Sequence, residues 1–137
     1  MNRADFQRLS DVRLQESKAL LAAGFPEGAY YLAGYAVECA LKACIAKRTQ
    51  LHDFPEKGSQ KYYSHDLDNL LELAKLRTEL ENSMQGDPIL KTRWIVVQNW
   101  SEESRYDPGR SALEATDLLS AIENPTGGVL PWLRQRW

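Results

Sequence analysis

The sequence predicts an all-α fold, an up-down antiparallel four-helix bundle with an extra short helix and a C-terminal tail. Two observations lead to this prediction. Leu and Ala outnumber Val, Ile and Thr by 33 to 14, a balance that favours helices over strands. Apolar residues also recur three and four positions apart, and no segment shows sustained alternation of apolar and polar residues. We expect a single domain over residues 1–137.

The first two predicted helices form the centre of the bundle. Apolar spacing predicts the first over residues 4–23, and its expected inward stripe comprises Phe6, Leu9, Arg13, Leu20 and Leu21. Gly24 favours the left-handed conformation that ends helices, and Pro26 suits the first turn of the next helix. The second helix, over residues 27–48, carries so wide an apolar surface that we expect it to be the most buried.

A polar stretch over residues 49–64 follows, and as the longest predicted loop it is expected to be flexible. Ser64 or Asp66 is predicted to cap a third helix, in which Leu67, Leu70, Leu71 and Ala74 recur at helical spacing. Thr78 and Glu81 fit a capping box that begins a short helical turn ending near residue 85.

Turn residues delimit the remaining helices. Asp87 and Pro88 predict the start of a fourth main helix that continues to about residue 104. The sequence Tyr-Asp-Pro-Gly at residues 106–109 predicts a turn, and a further helix is expected over residues 112–122. Residues 125–137 are expected to form the C-terminal tail, which includes a short amphipathic piece.

Composition excludes several classes of protein. The 17 Lys and Arg residues against 19 Asp and Glu residues give a net charge of −2, so the whole chain has no electrostatic attraction to nucleic acid or anionic lipid. No apolar run approaches the length of a membrane span, and the first residues lack the apolar core of a signal peptide, so we expect a cytoplasmic protein without membrane contact. Cys39 and Cys44 are expected to be buried apolar side chains. With two Cys and two His residues, no metal site or other cofactor is predicted.

The predicted helix directions bring polar residues to one end of the bundle. If the second, third and fourth helices alternate in direction, their adjoining ends and the start of the fifth meet at the same pole. We name this group the basic pole, and its members are Lys47, Arg48, His65, Asp66, Arg105, Tyr106 and Arg110. This pole is where the sequence predicts a functional site, although polar side chains also collect where helices end.

Three segments together resemble the HEPN domain family. They are GAYYLAGYAVECALKACIA in the second helix, SHDLDNLL at the start of the third, and SRYDP after the fourth. The resemblance implies a homodimeric helical bundle, and it implies membership of a family that contains nucleotide-binding modules and metal-independent endoribonucleases. Many of the ribonucleases are toxins that act beside a small nucleotidyltransferase antitoxin.

The ribonuclease members carry an arginine followed, after four to six residues, by a histidine. Arg105 matches that arginine, but residues 110–112 are Arg, Ser and Ala, none of which transfers a proton near neutral pH. Arg48 and His52 have only three residues between them and lie in a different loop. The resemblance therefore carries over Arg105, with Glu38 as a supporting polar group, and does not carry over the nuclease activity.

Each candidate residue has a functional and a structural interpretation. Arg105 and Arg110 could grip a phosphate as two charged forks beside Tyr106 and Asp107, or they could bind nearby carboxylates and helix-end carbonyls. The candidates on the second and third helices are Glu38, Lys42 and His65. Glu38 and Lys42 could form an intrahelical pair or line a functional or subunit contact. His65 could bind a ligand or transfer a proton, or it could belong to a helix cap.

Three functions are compatible with these observations. The first is a non-catalytic HEPN module that binds a nucleotide, RNA or a nucleotidyltransferase partner through the basic pole, as part of a toxin-antitoxin system. The second is a metal-independent endoribonuclease toxin in which His65 supplies the atypical proton-transfer group. The third is a structural helical adaptor. The wide apolar surface of the second helix also predicts a homodimer.

Overall fold

The computed structural model describes residues 1–49 and 63–137, and within them it contains seven α-helices and one 3₁₀ helix. They are α1 (Arg3–Ala22), α2 (Pro26–Lys47), α3 (Leu67–Leu73), α4 (Arg77–Gly86), α5 (Pro88–Gln98), the 3₁₀ helix η1 (Glu102–Tyr106), α6 (Ala112–Glu123) and α7 (Val129–Arg134). The all-α prediction is confirmed. Most of the predicted loop over residues 49–64, with His52, lies outside the described residues.

Helix α2 is the centre of the core, as its apolar composition predicts. Almost all of its residues from Ala29 to Ala46 are buried, and α1, α3, η1, α6 and α7 all pack against it. The helix begins with Pro26 at its first position, where the missing backbone N–H costs nothing. A single helix therefore contacts every other element that carries a candidate site residue.

The stripe predicted for α1 is confirmed in part, since Phe6 is buried and Leu9, Leu20 and Leu21 are partly buried and pack against the core. The buried residues of α1 are Phe6, Ser10, Leu14 and Ser17. The Ser10 hydroxyl donates to the Ala36 carbonyl at 2.7 Å, and the Ser17 hydroxyl donates to the Ala29 carbonyl at 2.6 Å. Alanines on the facing side of α2 let the two helices approach closely, so small hydroxyl residues lie in the contact between them, at positions outside the predicted stripe.

The predicted fourth helix ends earlier than expected. Helix α5 stops at Gln98, and Ser101 adopts an extended conformation in which its side chain accepts a hydrogen bond from the Glu103 backbone N–H. Serine offers the backbone such a local alternative to continuing a helix. The first three residues of the SRYDP segment therefore lie on a separate 3₁₀ helix, η1, and Asp107 and Pro108 follow it.

The predicted turn near residues 78–85 is a ten-residue helix, α4, which begins one residue before Thr78. Its N-cap is Leu76, which forms no side-chain cap, so the predicted capping box is absent. Lys75 precedes Leu76 with φ 61°, a left-handed conformation that ends α3. Buried Leu76 and Leu80 fix the start of α4 through packing.

The last two helices complete the core. Helix α6 is close to its predicted range and starts with a capping box between Ser111 and Glu114. In the tail, α7 buries Val129, Leu130 and Leu133. The tail is therefore a packed part of the core.

Candidate functional site

The interior of α2 holds a charged pair. Glu38 is fully buried, and its Oε2 lies 3.1 Å from the Nζ of Lys42, one helical turn further on. An ionised carboxylate in such a place is costly unless it is paired and hydrogen-bonded. Of the two interpretations left open for Glu38 and Lys42, the intrahelical pair is thus observed, and it is an interior pair.

His65, which lies outside α2, is the second partner of the Glu38 carboxylate. Its Nδ1 lies 2.9 Å from Glu38 Oε1, and its Nε2 lies 3.2 Å from Glu102 Oε2 on η1. One ring, exposed over 40% of its side chain, thus links α2 to η1.

The cap beside His65 belongs to its neighbours. Asp66 is the N-cap of α3 and accepts a hydrogen bond from the Asn69 backbone N–H, and the Ser64 hydroxyl accepts one from the Asp66 N–H. The cap interpretation is correct for Asp66, and Ser64 supports the residue that caps the helix without being the cap itself. The imidazole itself is held by carboxylates.

A polar cavity of about 310 Å³ opens beside His65 between the start of α3 and η1. Carboxylates dominate its lining, which includes Asp66, Asp68, Glu102 and Glu103. Across residues 1–49 and 63–137, no group of three or more His, Cys, Asp and Glu side chains could hold a metal ion. The cavity is therefore an acidic one, and it surrounds the imidazole with negative charge.

Arg105 lies on η1 three residues after Glu102. Side chains three positions apart in a 3₁₀ helix lie on the same side, so Arg105 shares the side of η1 that contacts His65. Its guanidinium is exposed, interacts with the hydroxyl of Tyr31, and lies 4.7 Å from the ring centroid of Tyr106. The contact with Tyr31 is the main influence that raises the pKa of Arg105 above its usual value, so the side chain keeps its charge.

One face of α2 organises these contacts. Tyr31, Tyr35, Glu38 and Lys42 are spaced by four, three and four residues, which places them in a row on a helix. Tyr31 contacts Arg105, and Glu38 contacts His65, about 10 Å further along the helix axis. We name this row the α2 stripe.

Arg110 belongs to a different cluster. Its guanidinium lies 4.1 Å from the ring centroid of Tyr30, and it pairs with Glu114 at 2.8 Å and with Asp107 at 3.3 Å. Burial raises the pKa of Tyr30, which the positive charge of Arg110 opposes. Two carboxylates therefore neutralise the charge of Arg110. Through its contacts with Glu114 and Tyr30, Arg110 links the start of α6 to α2.

The predicted basic pole does not form around one end of α2. Arg110 contacts Tyr30 near the start of α2, whereas Lys47 at its end donates to the Arg136 backbone carbonyl at 3.2 Å. Tyr30 and Lys47 are 17 residues apart in the sequence, which is about 25 Å along an α-helix. The candidates are thus distributed along α2, because each packs beside the helix instead of at its end.

Two residues of the site, Tyr31 and Glu102, are not members of the predicted basic pole. Tyr31 has a usable signal, since its seven-residue separation from Glu38 places it on the same helix face. Glu102 has none in its local sequence. Its contact with His65 joins residues 37 positions apart that meet only in the folded chain.

The comparisons with known proteins give one match. The family model described as "HEPN domain" matches residues 8–125, a range that contains the whole α2 stripe, His65 and η1. No curated protein matches the chain, and no solved structure matches it. Among the described residues, no helix is both long and apolar enough for a membrane span.

Proposed function

Because the chain belongs to the HEPN domain family, we propose that it is a non-catalytic module that binds a phosphate group of a nucleotide or of RNA through Arg105. The observation that carries this proposal is the environment of His65, whose two ring nitrogens both face carboxylate oxygens, at 2.9 and 3.2 Å. A histidine that transfers protons needs a ring nitrogen directed at its substrate. Here both nitrogens are occupied within the chain.

His65 then acts on ligand binding through η1. Its contact with Glu102 fixes the side of η1 from which Arg105 projects. Glu38, held by Lys42 inside α2, anchors the imidazole at its other nitrogen. In this proposal Glu38, Lys42 and His65 are positioning residues.

Arg105 supplies the binding group. A guanidinium offers a rigid fork of N–H donors that matches phosphate oxygens. The Tyr31 contact restrains the side chain before the ligand arrives, and Tyr106, 74% exposed, presents an aromatic ring beside it for a base. Arg110 has a smaller role than the sequence predicts, because Asp107 and Glu114 already pair with it.

The direct test is binding by purified protein to AMP and to a short single-stranded RNA. We expect Arg105→Ala to weaken binding at least tenfold, since charge-assisted hydrogen bonds to phosphate are lost. Arg8→Ala, which removes an exposed arginine of α1, is the matched control and should bind as the wild type does. Equal affinities of Arg105→Ala and wild type would refute the proposal.

One observation favours the alternative, a metal-independent endoribonuclease toxin. A carboxylate bound to one imidazole nitrogen is also how general bases are oriented, and Glu38 occupies that position. Incubation with total RNA in EDTA separates the two functions. Cleavage that disappears in His65→Ala and in Arg105→Ala would establish the nuclease and overturn the non-catalytic proposal.

Further proposals concern the fold and the assembly. We propose that the long helices form an up-down antiparallel four-helix bundle, that the chain is a single cytoplasmic domain, and that it forms a homodimer.

We also propose a partner, a small nucleotidyltransferase within a toxin-antitoxin pair. A structural adaptor is the remaining alternative function. Sedimentation at micromolar concentration tests the dimer, and a monomer there would refute it. If no RNA, nucleotide or co-purifying nucleotidyltransferase binds, the adaptor is favoured.

A further inference from the structure

A concave basic surface lies at the C-terminal end of α2, away from Arg105. We propose that this surface, which we name the α2-end pocket, is a second phosphate-binding site of the protein. It encloses about 490 Å³ between the end of α2, the start of α4 and the residues after α7. Its cations are Lys47, Arg48 and Arg136, and the only carboxylate among its described lining residues is Glu79.

The positive charge of the α2-end pocket is only partly neutralised. Glu79 Oε1 accepts a hydrogen bond from Arg136 Nε at 2.8 Å. Lys47 donates to a backbone carbonyl, which carries no net charge. Arg48 is exposed, and within residues 1–49 and 63–137 its guanidinium has no side-chain partner. Among the described lining residues, three cations and one carboxylate leave a net positive charge for an anion to bind.

The floor of the pocket is apolar. Cys44, Ala74 and Leu76 form it, and each is at most 7% exposed. Attraction between charges is stronger beside such a low-dielectric surface than in open water. Burial raises the pKa of the Cys44 thiol to about 12, and Lys47 and Arg136 oppose that rise. The positive potential of the pocket therefore reaches its floor.

The donor set fits a phosphate group. Arg48 and Arg136 offer guanidinium forks and Lys47 offers a compact ammonium, which together match several phosphate oxygens. The Arg136 guanidinium carbon lies 3.7 Å from the ring centroid of Trp132, and Arg136 also donates to the Trp132 carbonyl at 2.7 Å. One of the three cations is thus held in place before a ligand binds, which reduces the entropic cost of binding.

The α2-end pocket is separate from the site at His65 and Arg105. Glu38 and Lys47 are nine positions apart, which is about 14 Å along the helix, so one phosphate cannot occupy both places. The phosphate can come from a free nucleotide or from the backbone of an RNA strand. The inference rests on the proposed function only in taking a nucleotide or RNA as the source of the phosphate.

The test compares three probes: inorganic phosphate, AMP and a 12-nucleotide single-stranded RNA. We expect the double variant Lys47→Ala/Arg48→Ala to bind at least one probe about tenfold more weakly than the wild type. If RNA is the ligand, the slope of log K against log salt should fall by about 0.7 for each phosphate that the variant no longer neutralises. The control variant Arg8→Ala/Lys91→Ala removes the same charge elsewhere and should leave binding unchanged.

The probes distinguish the sources of the phosphate. Weaker binding of inorganic phosphate and AMP identifies a small anion as the ligand, and weaker binding of RNA alone identifies the strand backbone. The proposal is overturned if the wild type binds none of the probes, if the double variant binds all as the wild type does, or if the control loses as much affinity. Arg48→Ala alone keeps the test usable should the double variant not fold, since Arg48 is exposed.

Arg105→Ala separates this inference from the proposed function. If that variant keeps wild-type affinity while the pocket variant loses it, the proposed function fails and the α2-end pocket stands. If Arg105→Ala loses affinity while the pocket variant keeps it, the proposed role of Arg105 is supported and the second site is refuted.

Discussion

Two polar residues of the site have opposite surroundings. His65 is held between Glu38 and Glu102, so its ring is fixed by the protein. Arg105 is exposed, and Tyr31 and Tyr106 are its contacts. The two residues therefore differ in role, because His65 holds η1 in place and Arg105 faces solvent.

Tyr31→Phe tests whether the tyrosine hydroxyl positions Arg105. The variant keeps the aromatic ring, which stacks on Trp100 with centroids 6.2 Å apart, and it removes only the hydroxyl beside the guanidinium. We expect AMP binding to weaken about two- to tenfold with little change in stability, the usual range for one hydrogen bond. Titration calorimetry and thermal unfolding measure the two quantities.

Tyr35→Phe is the matched control for this prediction, since Tyr35 lies one turn further along the α2 stripe and faces Arg13. It should bind AMP as the wild type does. Equal losses in both variants, or no loss in Tyr31→Phe, would contradict a positioning role for Tyr31.

Glu38→Gln tests the buried network. The substitution leaves Lys42 without its carboxylate and weakens the anchor of His65. Removing one partner of a buried ion pair costs about 3–5 kcal/mol, so we expect the free energy of unfolding to fall by that order. Urea denaturation measures it, and Glu81→Gln, at an exposed position of α4, should change it by less than about 0.5 kcal/mol.

At the scale of elements, the contact between α2 and the end of α5 depends on a missing side chain. A Cβ on Gly34 would lie 2.2 Å from the indole ring of Trp100, far inside any normal contact. The absence of a side chain thus lets Trp100 lie against α2, and Trp100 leads directly into Ser101 and η1. The position of Arg105 on η1 therefore depends on a glycine of α2.

Gly34→Ala should displace Trp100. We expect a loss of about 1–3 kcal/mol or more in the free energy of unfolding, the range for overpacked cores, together with weaker AMP binding. Gly86→Ala is the matched control, because a Cβ there meets nothing within 4 Å, and it should be neutral or stabilising by up to about 1 kcal/mol. A folded Gly34→Ala protein of wild-type stability would show that Trp100 is free to move.

At the scale of the whole molecule, the core protects both cysteines. Burial is the main cause that raises the pKa of the Cys39 and Cys44 thiols from 9.0 to about 12. Between those values an unfolded thiol loses its proton while the native thiol keeps it, so the native state binds more protons. Stability should therefore be complete below about pH 9 and fall as the pH rises towards 12.

Denaturant unfolding between pH 8 and 11 measures this loss. Cys39→Ala/Cys44→Ala should show a shallower decline with pH than the wild type, whatever its stability at pH 8. The decline should not vanish, because burial also raises the pKa of Tyr30 and Tyr35. Parallel pH profiles for variant and wild type would contradict the assignment to the thiols.

The sequence by itself determined the all-α class, the central place of α2, the start of α6 at Ala112 and the family. These features depend on local composition, capping residues and spacing within one segment, which a sequence records directly. It also identified Glu38, Lys42, His65 and Arg105 as candidates. The ion pair of Glu38 with Lys42 is predictable because the two residues are one helical turn apart.

Only the tertiary structure decided how the candidates are grouped. It placed His65 against Glu102, Arg105 against Tyr31 and Arg110 against Tyr30, and it located the cations at the end of α2 beside the residues that follow α7. The prediction of one basic pole was wrong because it assumed that the candidate residues meet at the ends of the helices, whereas they contact the sides of α2. The physical reason for the actual grouping is packing: small residues on α2 let neighbouring elements approach its sides, and contacts between distant residues follow from that approach, which no local pattern encodes.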